Sequence, residues 1–301
     1  MHRSHRITNH RSNGQRRVRC PLRASHKYRH VRYDRRNSRG RSNVKQVRLV
    51  IRHDKVEAKQ IATDITEALS HNDVTTEGSN PEAVIAIGGD GTVLEAASIA
   101  MKLNVPVCGV NVGGVGYLAE FSQAEVADLA DAVANGTYST RAHSTLFVST
   151  GEYSASAIND VVVEKVVSQR IIKVTVQING KPLSTYRTDG VLVASPLGST
   201  AYNLSAGGPI VDPSLDAFIL TPIAPHSLLS RAIVLAPDAV VTLSVTRDRP
   251  ARINVDGREL CTVSPDDVVT IRRGDSKVDF LTLNRHPFPA AVRDSFGLDH
   301  A

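Results

Sequence analysis

The apolar run Val84-Ile-Ala-Ile87 stops at Gly88-Gly-Asp-Gly-Thr92, and a helical pattern follows over residues 93–100. Strand, glycine turn and helix in that order constrain the chain more than any other segment, because they set backbone N–H groups at the carboxyl end of a buried strand. Gly88, Gly89 and Gly91 are expected to take φ > 0 and to approach an anion without Cβ interference, forming with Thr92 a phosphate loop. Asp90 then stands where a polyphosphate would lie. A carboxylate facing phosphates needs either a bridging metal ion or a proton to accept from an attacking hydroxyl, and both lead to phosphoryl transfer. The competing account is a plain tight turn before a helix. The flanking strand and helix favour the phosphate loop.

With 301 residues, 41% of them hydrophobic, the chain is long enough for two domains with cores. No apolar run is long enough to suggest a membrane span, so a cytoplasmic protein with no membrane partner is expected. Cys20, Cys108 and Cys261 lie far apart, without the spacing of a disulfide framework or a zinc site, and no metal ligand can be named. Cys108 reads as a core residue. The net charge of +6 conceals a division: residues 1–48 hold 16 of the 36 Lys and Arg with Asp34 as their one acid, which leaves the remainder acidic. Residues 1–46 therefore read as a disordered Arg-rich extension. It is a solvated tail, a stretch translated ahead of the true start or, less favoured, a transit-type leader.

Strand and helix alternate from Val47 to residue 141, with strands at 47–51, 83–87 and 105–110 and helices through Val56–Leu69 and Thr92–Lys102. An α/β domain with a small parallel sheet is expected over 47–141. Gly113-Gly-Val-Gly116 reads as a close-packing loop rather than a dinucleotide fingerprint. From 142 to 277 short β-rich runs replace the helices, with hairpin signals at Asn179-Gly180 and Asp256-Gly257 and a weaker turn at Arg273-Gly-Asp275. These predict a C-terminal all-β, sandwich-like domain that binds substrate, with 278–301 as a tail returning to the first domain.

Residues 198–209, Gly-Ser-Thr-Ala-Tyr-Asn-Leu-Ser-Ala-Gly-Gly-Pro, follow a buried run and offer the hydroxyls of Ser199, Thr200 and Ser205 beside Tyr202. Such a loop suits hydrogen bonding to a base edge and stacking on its face, although a small-residue helix after a turn has the same composition. GGDGT at 88–92, AINDV at 157–161, YRTDG at 186–190, GSTAYNLSAGGP at 198–209 and PIAPHSLLSR at 222–231 together resemble the NAD kinase family, over about residues 49–285. GGDGT alone also occurs in diacylglycerol and sphingosine kinases and in phosphofructokinases; the TAY-to-GGP segment discriminates. The resemblance implies transfer of the terminal phosphoryl group of ATP, or of polyphosphate, to the 2′-hydroxyl of the adenosine ribose of NAD, yielding NADP.

It also implies roles. Asp90 becomes the proton acceptor, with Gly91 in backbone contact. Asn159 and Asp160 hold ribose and adenine groups, Arg170, Arg187 and Asp189 fall at substrate-contact positions, and Thr200, Ala201, Tyr202 and Ser205 form the adenine pocket. Asn111 and His226 are secondary candidates. A divalent cation, expected to be Mg2+, and a homodimer or homotetramer belong to the same expectation. Glu95 stands where many members carry Arg, and Asp160 replaces the commoner Glu. Two rivals remain: a lipid kinase of the diacylglycerol type, which shares the glycine turn, and a nucleic-acid-binding regulator that uses the Arg-rich extension. The 198–209 segment counts against the lipid kinase; deletion of residues 1–45 separates the regulator, whose body would sense a nucleotide, and a nucleic-acid partner is not expected.

Overall fold

The alternating faces of one short strand explain how the first half of the chain folds. In β2 (Ala83–Gly88), Ala83, Ile85 and Ile87 join one apolar cluster while Val84 and Ala86 join another, so both faces of the strand are covered. β1 (Val47–Ile51) and β3 (Val107–Asn111) flank β2 in parallel. On one face lie α1 (Val56–Ser70), burying Ala58, Ile61, Ile65 and Leu69, and α3 (Val126–Ala134). α2 (Asp90–Leu103) covers the other through Val93, Ala96, Ala97 and Ala100. Each such apolar side chain larger than alanine stabilises the fold by roughly 1.5–3 kcal/mol when fully buried. The computed structural model describes residues 44–297 except 114–115, 168–169, 246–248, 266 and 286. The expected Arg-rich extension, with Cys20, lies outside the described residues as far as position 43.

The second half is built from strands. They are β4 (Ser139–Thr150), β5 (Tyr153–Ala157), β6 (Asp160–Lys165), β7 (Ile172–Ile178), β8 (Lys181–Thr188), β9 (Gly190–Ala194), β10 (Phe218–Ile223), β11 (Ile233–Leu235), β12 (Val241–Val245), β13 (Ala251–Val255), β14 (Arg258–Val263) and β15 (Val268–Thr282). Two short α-helices, α4 (Tyr202–Ser205) and α5 (Phe288–Ser295), and two 3-10 turns, Gln123–Glu125 and Leu197–Thr200, complete the described elements. One sheet runs β11-β10-β9-β6-β13-β14; the other runs β1-β2-β3-β15-β12-β7-β8, with β4 on β15 and β5 on β4. Val161, Val163, Val191 and Ile253 of the first sheet meet Leu146, Val174, Val176 and Leu243 of the second in one core, which makes the β half a sandwich. The fold is thus an N-terminal α/β domain with a parallel sheet and a C-terminal β-sandwich. Both hairpin signals form turns with two successive positive φ angles, 51° and 73° at Asn179-Gly180 and 49° and 75° at Asp256-Gly257.

One predicted turn does not exist. At Arg273-Gly-Asp275 the chain bulges, with a register shift between Arg273 and Lys277, and stays within β15. A Cβ at Gly274 would run into the Thr145 hydroxyl, so glycine is what allows β15 and β4 to stay paired there. Beyond the bulge β15 lies parallel to β3, Phe280 opposite Val107, and delivers Val278 and Leu281 to the apolar clusters around the parallel strands. Cys108 is buried in this core, and burial pushes its thiol far above the ordinary range.

Candidate functional site

None of Gly88, Gly89 and Gly91 adopts the left-handed conformation, which corrects the expectation that φ > 0 explains them. Gly88 is required because a Cβ there would collide with Thr92, whereas a Cβ at Gly89 or Gly91 would meet nothing within 4 Å. No neighbour in the free protein asks for glycine at those two positions. α2 begins at Asp90 rather than at Thr92, capped by Gly89 at φ −93°, so Asp90 occupies the first helical turn. Its carboxylate accepts from the backbone N–H of Tyr117 at 3.1 Å and of Leu118 at 3.0 Å. Gly116 packs so closely that a Cβ there would sit 2.7 Å from the same carboxylate. Asn111 ends β3 beside this loop, its N–H donating to Phe121 C=O at 2.8 Å.

Ile158 and Leu197 share the apolar cluster of Val93, Ala96 and Ala97, which sets the AINDV segment and the start of the hydroxyl-rich loop against the helix that Asp90 opens. Glu95 on α2 lies 4.0 Å from Arg258, next to the β13–β14 turn, where Asp256 meets Asn159. Tyr117, whose N–H serves Asp90, has its hydroxyl pushed up to about 12 by burial and by Asp212, just past the hydroxyl-rich loop. The glycine turn and the loop are therefore neighbours. Asn159 C=O accepts from Ser195 N–H at 2.8 Å, and its buried side-chain oxygen has no partner among the described residues.

Asp160 is 5% exposed, and burial together with Asp256 pushes its carboxyl up to about 7. Burial also raises Asp256, against the pull of three backbone N–H donors and Arg258. Tyr202 is 39% exposed on α4; its hydroxyl is raised by partial burial and by Glu164, Asp189 and Asp160, so that side chain faces a group of carboxylates. Thr200 and Ala201 precede it and exposed Ser205 closes the same short helix. Asp189 pairs with Lys165 at 2.6 Å. Exposed Arg187 and His226 meet through their backbones, His226 N–H donating to Arg187 C=O at 2.7 Å. Arg170 stands apart: exposed between β6 and β7, it makes a backbone bond to Val167, and among the described residues no hydrogen bond or ion pair joins it to the other candidates.

Three structural participants escaped the sequence reading. Asn203 is fully buried; its amide donates to Ser199 C=O at 2.9 Å and Pro209 C=O at 3.0 Å, and accepts from the Thr221 hydroxyl at 2.7 Å. An amide between Tyr202 and the Gly207-Gly208 break was a signal that the loop needs an internal brace. Lys165 and Asp256 gave no such signal, since their partners lie far off in sequence.

An α/β domain joined to a β-sandwich, with a glycine-turn carboxylate on a helix N-terminus beside a loop of hydroxyls and carboxylates, has the make-up of a nucleotide phosphotransferase. Residues 35–138 match the ATP-NAD kinase N-terminal domain and residues 158–283 the ATP-NAD kinase C-terminal domain. The NAD kinase of Lachnoclostridium phytofermentans is 36% identical over 240 residues, covering 76% of this chain and 84% of the relative; that of Nitrosospira multiformis is 34% identical over 254 residues, covering 83% and 85%. An Archaeoglobus fulgidus NAD kinase solved with ATP superposes with a TM-score of 0.69 at 27% identity, covering 84% of this chain and 97% of that one. Yeast NADH kinase, solved with NADH, shares the fold with a TM-score of 0.78 at 20% identity over 87% and 90%. The chain belongs to the ATP-NAD kinase family, and its activity is the phosphorylation of NAD.

Proposed function

We propose that Asp90 accepts the proton of the ribose 2′-hydroxyl of NAD as that oxygen bonds to the γ-phosphorus of ATP and the bond to ADP breaks. Gly88, Gly89, Gly91 and Thr92 form the phosphate loop, Thr92 through its side chain, since its N–H donates to Gly89 C=O at 2.9 Å. Asn159 and Asp160 hold the adenosine, Thr200, Ala201, Tyr202 and Ser205 line its base, and Arg187, Asp189 and His226 flank the remainder; Arg170 has the least support. The observation that carries this reading is the single apolar cluster joining α2 to Ile158 and Leu197. Two backbone bonds fix the Asp90 carboxylate and leave lone pairs for a substrate proton. Alignment matters as much as basicity, since a ribose hydroxyl is a poor nucleophile in water.

ATP rather than polyphosphate is the proposed donor, on the strength of the archaeal relative solved with ATP. Among the described residues no three His, Cys, Asp or Glu side chains gather to hold an ion, so a protein-built Mg2+ cage does not fit and the cation is proposed to arrive on the ATP phosphates. None of the described helices is long and apolar enough to cross a membrane. Cytoplasmic location, a homodimer or homotetramer, and a functional division near residues 141 and 277 are proposals that rest on family resemblance. Kinetics of Asp90→Asn and Tyr202→Ala test the shared nucleoside: the first is expected to lower kcat and the second to raise KM for NAD. An unchanged KM for NAD in Tyr202→Ala would remove that loop from the adenosine site.

A further inference from the structure

Three successive backbone N–H groups, of Ile158, Asn159 and Asp160, donate to the Asp256 carboxylate at 2.8, 2.7 and 3.1 Å. They lie where β5 has ended and β6 is beginning, so a strand ladder does not serve the run as a whole. The N–H of Asp256 closes the ring by donating to Asp160 C=O at 3.0 Å. An ionised carboxylate is the one side chain with enough acceptor sites for such a set, and its charge strengthens each bond. It reaches the run because the β13–β14 hairpin turns at Asp256-Gly257 with both residues left-handed. Next to the clamp, the Asn159 side-chain oxygen is buried without a partner and the Asp160 carboxyl is almost wholly enclosed.

We propose that Asp256 is a positioning residue for NAD binding: its carboxylate holds the backbone of Ile158–Asp160 and so orients the Asn159 amide and the Asp160 carboxyl toward the adenosine. The inference rests on the reading of those two residues as adenosine contacts. Asp256 itself touches no substrate. Its effect therefore falls on NAD and leaves ATP and the chemical step alone.

Asp256→Asn isolates the clamp, because asparagine tolerates the left-handed turn as well as aspartate does but turns an amide NH2 against backbone donors. In the purified full-length enzyme KM for NAD is expected to rise roughly tenfold, with kcat falling less than about threefold and KM for ATP unchanged. A lowered Tm with both KM values at wild type would mean mere fold support, and an equal rise in both would mean general damage; either overturns the inference. Amide hydrogen exchange of residues 158–160 in the wild-type enzyme gives a second reading that needs no variant. Protection before NAD is added supports the clamp, and exchange at unprotected rates removes it. Asn159→Ala separates the two layers: if it binds NAD as wild type does, the adenosine reading fails and carries the inference with it; if it weakens NAD while Asp256→Asn does not, the clamp alone fails.

Discussion

The glycine turn and the 198–212 loop lie side by side, yet they are held in opposite ways. In the loop, the buried polar side chains are spent on the protein itself: Ser199 exchanges bonds with the backbone of Val211 at 3.1 and 3.0 Å, and Asn203 ties Ser199, Pro209 and Thr221 together. In the turn, Gly89 and Gly91 face open space. The contrast teaches where each demand comes from. Asn203 is explained by its neighbours; Gly89 and Gly91 are not, and the proposed phosphate loop is what gives them a reason.

The comparison is broken most directly at Asp90. Asp90→Asn is expected to lower kcat about 10²–10⁴-fold while calorimetry finds NAD binding nearly unchanged; near-normal turnover would deny Asp90 the proton. Asn203→Ala should act on the other side, removing the brace and leaving buried carbonyls unpaired, at a cost of about 2–4 kcal/mol in denaturant unfolding. KM for NAD should rise with it. If stability held, the loop would not depend on its internal network.

Asp160 sharpens the contrast through pH. Its folded carboxyl, at about 7, holds a proton that the unfolded chain, near the ordinary 3.8, has lost, so the native state binds more protons across that interval. Stability of the NAD-free enzyme should therefore fall as pH rises from about 4 to 7, on the order of 1–3 kcal/mol, and level off above. Asp160→Asn should flatten that slope; an unchanged slope would assign it to other groups. The smallest expected effect is Gly91→Ala. With room for its Cβ and a place in α2, alanine should stabilise the free enzyme by about 0.5–1 kcal/mol. It should nonetheless weaken turnover with ATP, and full activity in a stabilised variant would mean that nothing comes close to Gly91.

Much of the fold was readable from local pattern. Alternation of buried runs with helical stripes announced the parallel strands, and Asn179-Gly180 and Asp256-Gly257 announced two hairpins, because their left-handed turns ask for those residues. β8 and β14 were harder to see, since edge strands carry weaker alternation, and β10, buried nearly throughout and interrupted by Pro222, has no alternation to read. The turn expected at Arg273-Gly-Asp275 failed for a specific reason: glycine marks close approach as well as reversal, and only the presence of Thr145 across the strand tells which. The same ambiguity produced the wrong account of Gly88, Gly89 and Gly91.

The amino-acid order alone carried the family's five motifs, the two-part architecture and the chemical types of the candidate residues, because those depend on neighbours within a few positions. Which groups work together was settled by packing. Asp256 serves residues 96 to 98 positions before it, and Lys165 meets Asp189 across strands. Carboxylate chemistry depends on the donors and charges within a few ångströms, and that distance is a property of the folded chain, not of its order.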